Sequence, residues 1–438
     1  MQLRRLTSVF VVSALLLAGC SDPAPSWKGG GSGSSAAAAT VKVTAPTDGA
    51  KDVSTATSLV YEASSDATVT LQDASGATVS GAALPAGGQG APATGASGST
   101  GASGSTGASG STGASGSTGA SGSTGASGST GASGSTGASG KGVEWMPDKQ
   151  LKYSTEYTAT ITAGSAKSTV KFTTMAKPSS LARTSSQIGD GQVVGVGMMM
   201  ILSFGVEIPK DKRAGIERRL LMSSDPPQEG SWNWYTSKEI HYRPKEYWQA
   251  GTKLSLRARV GGVSFGGKSY GEKDITVDAT VGKKLIMEVD NATKQMTITE
   301  DGVLLKTMPV SLGKPSNPSD SGNFIVMVKN EWEWFDSSTY GVPVDSPDGY
   351  RTKVEYPQRI TWSGQYIHAA PWSVKDQGKR NVSHGCVNIS LDLAKWLYGV
   401  THIGDPVIVK GTEERVKYGD GWTDWELSWD EYKKGSAL

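Results

Sequence analysis

Only four histidines and two cysteines occur in 438 residues, so the few side chains capable of nucleophilic or acid–base chemistry stand out. His384 lies two residues before Cys386 in Ser383-His384-Gly385-Cys386-Val387-Asn388. His368 lies eighteen residues before the same cysteine in Tyr366-Ile367-His368-Ala369-Ala370-Pro371-Trp372. A thiol attacks a carbonyl as its thiolate, and an imidazole is the usual base that makes one. These residue types imply a pair that stabilises itself as thiolate and imidazolium. Gly385 permits a tight turn beside the sulfur, which would let neighbouring amides point at a developing oxyanion. The chemistry indicated is that of a cysteine hydrolase or acyltransferase. A zinc hydrolase is the competing use of His and Cys, but His384 and Cys386 are only two apart and no His-Glu-x-x-His run accompanies them. No metal and no cofactor is called for.

The second cysteine has a different setting. Arg4 and Arg5 precede an apolar run at 9–17, too short to span a bilayer and of signal-peptide length. The run ends in Leu17-Ala18-Gly19-Cys20, which resembles a bacterial lipobox. That resemblance implies a signal peptide over 1–19 and a lipidated Cys20 as first mature residue, anchored at the extracytoplasmic face of the cell membrane. Two acyl chains hold a protein there stably, where one does so marginally. A plain secretory signal with a chance cysteine is the alternative. If Cys20 carries lipid, Cys386 is the sole thiol in an oxidising compartment and a candidate for reactivity.

Beyond these residues the chain reads as mainly β. Net charge is +2 with both signs interspersed, which gives no argument for nucleic acid. Residues 20–39, rich in Ser, Gly and Ala, read as a flexible tether. Residues 40–176 carry short alternating runs such as Tyr157-Thr158-Ala159-Thr160-Ile161, which suggest a first immunoglobulin-like sandwich. Seven copies of Gly-Ala-Ser-Gly-Ser-Thr begin at Gly95, and with a partial eighth they form a low-complexity insertion at 95–140. Closing so long a loop costs little extra entropy. Residues 177–280 suggest a second sandwich, its Trp residues read as packing. Residues 281–411 read as a β-rich region with an Asp301-Gly302 hairpin and one helix beginning after Ser390. In the tail, 412–438, Trp425, Trp429 and Tyr432 fit one helical face, read as a short helix packed on the catalytic region.

His368, the eighteen-residue interval and Ser-His-Gly-Cys-Val-Asn together resemble the signature of the L,D-transpeptidase (YkuD-type) catalytic domain. Ser311-Leu312-Gly313-Lys314 resembles a strand end of that family, and 340–350 resembles its active-site lid. The second sandwich resembles the immunoglobulin-like domain that precedes it in actinobacterial members. The resemblance implies Cys386 as nucleophile, His368 as general base, and the backbone carbonyl of Ala369 as the group that orients the imidazole. His384, Ser383 and Asn388 would shape the loop and the substrate site. Amides of Gly385 and Cys386, with Tyr350 from the lid, are the implied oxyanion donors. Tyr340, Trp332 and Trp334 are candidates to line the lid, with packing of its loop as the alternative, and Tyr340 and Trp372 are candidates to bind substrate. The implied reaction joins peptidoglycan stem peptides by 3→3 cross-links, and carbapenems would acylate Cys386. A non-catalytic peptidoglycan-binding lipoprotein is the alternative of another class.

Overall fold

Alternation of apolar and polar residues is plainest in the first sandwich. In Ala67–Asp73 each odd position is buried and each even one reaches solvent. Its partner Glu156–Ala163 alternates in the same phase, with Val69 opposite Ile161 and Leu71 opposite Ala159. The computed structural model describes residues 38–84, 136–137, 140–347 and 349–438. The signal segment, Cys20, almost all of the tether and nearly all of the repeat lie outside the described residues. Strands on either side of the repeat share sheets: Leu59–Ala63 pairs with Gly140–Pro147 as Ala67–Asp73 pairs with Glu156–Ala163. Trp145, Tyr61 and Phe172 fill the core between the two sheets.

The next sandwich packs Thr184–Ser186, Met200–Phe204, Glu239–Pro244 and Gly230–Trp234 against Val193–Val194, Ile275–Val281, Lys253–Ala258 and Leu220–Asp225. Trp232, Trp234 and Trp248 are buried in its core, as their spacing among turns suggested. Polar contacts tie it to the first sandwich: Arg259 meets Asp148 at 2.8 Å, and the Gln150 amide donates to Asp274 at 3.0 Å. Val193-Val194-Gly195-Val196-Gly197-Met198 reads as one buried strand, yet only Val193–Val194 is one. Beyond it Gly195 and Gly197 donate their amides to Ile403 and Gly404 instead, which turns the chain onto the third region. The helix Lys210–Glu217 has no counterpart in the sequence reading, because it is short and charged and lacks a side-chain cap.

In the third region a sheet runs in the order Val303–Pro309, Gln295–Glu300, Leu285–Asp290, Pro406–Lys410, Asp320–Ile325, Glu414–Arg415. Asp301 and Gly302 both take positive φ, 50° and 82°, which closes the first hairpin with the twist its strands need. A smaller sheet holds Val328–Lys329, Gln358–Arg359, Tyr366–Ala369 and Val387–Ile389. The helix Leu391–Val400 starts at Ser390, whose hydroxyl accepts from the Leu393 amide at 3.4 Å. Ala394 and Leu397 bury one helix face in the core beneath the smaller sheet.

The tail departs from expectation. Trp425 sits in a 3-10 turn, Asp424–Glu426, and the helix is confined to Trp429–Lys433. Ser428 breaks the run because its side chain is worth more as a cap: it accepts from the Glu431 amide while Glu431 reaches back to the Ser428 amide. The tail also packs on the second sandwich. Asn233 donates to the Tyr432 carbonyl at 2.9 Å, Tyr432 donates to the His241 carbonyl at 2.9 Å, and the Arg243 guanidinium lies over Trp425, Trp429 and Tyr432.

Candidate active site

The eighteen-residue interval is a crossover. Tyr366–Ala369 and Val387–Ile389 pair in parallel, with Ile367 opposite Val387 and His368 opposite Asn388. Parallel neighbours need a connection of a dozen residues or more, and residues 370–386 supply it. Period-2 alternation then divides the chemistry from the packing. Ile367, Ala369, Val387 and Ile389 point into the hydrophobic core. His368 and Asn388 point the other way, in phase with Cys386 just before the second strand. That face forms the floor of a 320 Å³ cavity lined by His368, Cys386, Asn388, Ser383 and Trp372 among others.

The loop at the sulfur is held by two hydroxyls. Ser383 Oγ accepts from the Gly385 amide at 3.1 Å and donates to the Cys386 carbonyl at 2.6 Å. Ser319 Oγ donates to the Gly385 carbonyl at 2.6 Å and accepts from the Gly313 amide at 3.0 Å. Gly385 takes φ 118°, in the region that favours glycine. Its amide is committed to Ser383, which corrects the expectation that it faces an oxyanion. Ser319 escaped the sequence reading, since an isolated serine after Pro318 carries no signal.

His368 Nδ1 lies 2.9 Å from the Ala369 carbonyl. A carbonyl only accepts, so Nδ1 carries the proton and a neutral ring presents Nε2 as a lone pair. Phe335 meets the ring edge-on at 5.2 Å and Trp372 lies 6.1 Å away, which fixes its plane. Burial drives the imidazole pKa from 6.5 to about 4, against the opposing pull of the Ala369 carbonyl. The Cys386 thiol is pushed up to about 12 by desolvation. Cys386 is only half-buried, so solvent moderates that rise without reversing it. Its Sγ rests 3.6 Å from the Gly364 carbonyl. The resting pair is therefore neutral thiol and neutral imidazole rather than the expected ion pair. Here the proton leaves the sulfur during attack, with His368 as base. Acylation of Cys386 by a carbapenem should accordingly hold its neutral-pH rate until the pH approaches about 4 and then fall. An acid limb centred on 6.5 in a stopped-flow pH profile would contradict the buried, neutral base.

The remaining candidates take varied places. His384 is exposed, 3.1 Å from Lys314 Nζ and packed against Tyr350 with ring centres 5.5 Å apart. Both His384 and Tyr350 line the cavity. Asn388 donates to Ser373 at 3.2 Å, and its buried Oδ1 has no hydrogen-bond partner among the described residues. That leaves an acceptor at the cavity. The backbone of Tyr340 closes a 3-10 turn, but its side chain lies outside what is described. Phe335, Thr352 and Val354, from the hairpin Trp332–Asp336/Arg351–Glu355, line the cavity. Trp332 and Trp334 lie on this lid hairpin, on the face opposite Phe335. Phe335, which does the lining, was missed because one aromatic among three gives no sign of its face.

A family model described as the L,D-transpeptidase catalytic domain matches residues 284–409, and one described as a bacterial Ig domain matches residues 124–264. The chain is 38% identical to L,D-transpeptidase 2 of Mycobacterium tuberculosis over 301 residues, 68% of this chain and 73% of that protein. It is 37% identical to L,D-transpeptidase 1 of the same species over 222 residues, 51% of this chain and 82% of that protein. A structure of L,D-transpeptidase 3 from M. tuberculosis with a faropenem-derived adduct is 32% identical with a TM-score of 0.44, covering 52% of this chain and 97% of that one.

Proposed function

The chain belongs to the L,D-transpeptidase family, and on that premise we propose that Cys386 carries the acyl group of a peptidoglycan stem peptide between donor and acceptor. The observation that supports it most is the His368–Ala369 hydrogen bond of 2.9 Å. It leaves Nε2 free to take a proton, on the strand beside the sulfur and in the same cavity.

Cys386 Sγ attacks the carbonyl of the L-centre of meso-diaminopimelate in a tetrapeptide stem while His368 Nε2 takes the thiol proton. The oxyanion meets the Cys386 amide and Tyr350. Collapse breaks the amide bond, the protonated imidazole returns its proton to the departing amine, and D-Ala leaves. The side-chain amine of a neighbouring diaminopimelate then attacks the thioester, His368 takes the amine's proton and passes it to the departing sulfur, and the neutral thiol is restored with a 3→3 cross-link made. The Asn388 Oδ1 acceptor would orient a stem amide. Phe335, Thr352 and Val354 keep water from the thioester, which favours the amine over hydrolysis.

Outside the cavity, the Leu-Ala-Gly-Cys run supports a diacylated Cys20 that holds the chain at the outer face of the cell membrane, with the sandwiches as a stalk. Incubation with purified disaccharide-tetrapeptide, read by mass spectrometry, should give 3→3 dimers with loss of D-Ala, and a carbapenem should add its mass to the peptide containing Cys386. Absence of both would instead favour a peptidoglycan-binding protein without catalysis.

A further inference from the structure

The hairpin that covers the cavity has a second face. Trp332 and Trp334 project from it two residues apart, 52% and 51% exposed, in phase with Arg351 and Lys353 of the paired strand. Lys353 Nζ lies 5.0 Å from the Trp332 ring and Arg351 lies 5.3 Å from that of Trp334. Two large indoles held side by side in water on a two-stranded ribbon contribute no core packing, and such apolar patches mark interaction surfaces. Along a strand the two rings are spaced by roughly 6.6 Å.

Resting on the assignment of a stem peptide to the cavity, we propose that this outer face binds the glycan strand from which the stem hangs. Three properties select that occupant. A pyranose offers an apolar C–H face ringed by hydroxyls and acetamides, which matches flat indoles edged by guanidinium and ammonium donors. On this face two carboxylates, Asp336 and Glu355, balance the two cations, and Arg351 is paired with Asp336, so the ribbon suits a neutral polyol better than an anionic lipid surface. The geometry also fits. The three stem residues between the glycan and the attacked carbonyl reach about 10 Å when extended, the thickness of one layer. The lid would thus read the polymer with one face and close on its side chain with the other.

Neutral β-1,4-linked N-acetylglucosamine oligomers, which carry the sugar faces of the glycan without its peptides or charge, test this by quenching of tryptophan fluorescence and by calorimetry on the whole protein. The wild type should bind them. The double variant Trp332→Ala/Trp334→Ala should bind about tenfold more weakly, with Trp→Phe at both positions restoring part of the affinity. KM for stems on polymeric glycan should rise by the same factor with kcat unchanged, while KM for free tetrapeptide stays put. Carbapenem acylation of Cys386, measured in parallel, reads the catalytic assignment separately and should be equal in both proteins. No glycan binding by the wild type, equal binding by the variant, binding to phosphatidylglycerol vesicles in place of glycan, or lost acylation in the variant would each overturn the proposal.

Discussion

Cys386→Ala should lower the rate of dimer formation from disaccharide-tetrapeptide by roughly 10⁴-fold or more, the scale on which acyl-transfer sites lose activity with their nucleophile. The chain offers no substitute. Cys386 is the free cysteine among the described residues, and Ser383, the nearest hydroxyl in sequence, is tied to the Gly385 amide and the Cys386 carbonyl. What remains after the substitution is binding in the 320 Å³ cavity and polarisation of the carbonyl, so substrate should still occupy the site. Cys386→Ser is the more informative companion. It keeps the geometry but asks the same weak base, with its pKa near 4, to take a proton from a still less acidic group. It should therefore also fall by orders of magnitude. Dimers formed at the wild-type rate by the alanine variant, counted by chromatography of the muropeptides, would remove the thioester from the mechanism.

Asp424→Ala should cost about 3–5 kcal/mol of folding free energy, the usual consequence of removing one partner from a buried charged pair. His241 is fully buried, with both Asp424 oxygens 2.9 Å from Nδ1 and Glu239 2.9 Å from Nε2. Tyr235 stacks on its ring at 4.3 Å. Burial alone would lower the imidazole pKa, but the two carboxylates outweigh it and raise it to about 9. Folding therefore takes up a proton at His241. The stability this contributes is fully present below 6.5 and is lost as pH rises through about 9. Guanidinium unfolding should show the wild type weakening through that alkaline range and the variant, already weak at neutral pH, changing much less. The same curve for both proteins would mean that the cluster carries no folding energy.

How much of this was legible in the sequence depends on whether the responsible signal is local. The strands of the first sandwich, the Asp301-Gly302 hairpin and the helix capped by Ser390 follow from alternation, turn chemistry and a cap within a few residues. The His368 to Cys386 interval was legible as a motif, and its length is that of a crossover between parallel strands. Contacts made at a distance were not. The break in the tail at Ser428 shows where periodicity misleads: three aromatics kept a helical spacing although a better cap lay between them. Ser319, Gly364 and Phe335 reach the site through tertiary folding, and nothing beside them in sequence says so. The charge state of the sulfur was misjudged for a related reason. Residue types suggest an ion pair, and burial withdraws it.

Ile325, Met327 and Trp422 lie in the same apolar cluster as Met198, Ile201 and Trp248 of the preceding sandwich. Regions distinct by motif are thereby joined through one shared interior. A gene fragment cut near residue 281 would encode every group of the reaction, yet it would leave that interior half-built and the aromatic tail without the surface it lies on. Recombination among such enzymes, natural or designed, would have to carry the preceding sandwich along with the chemistry as a single inheritable block.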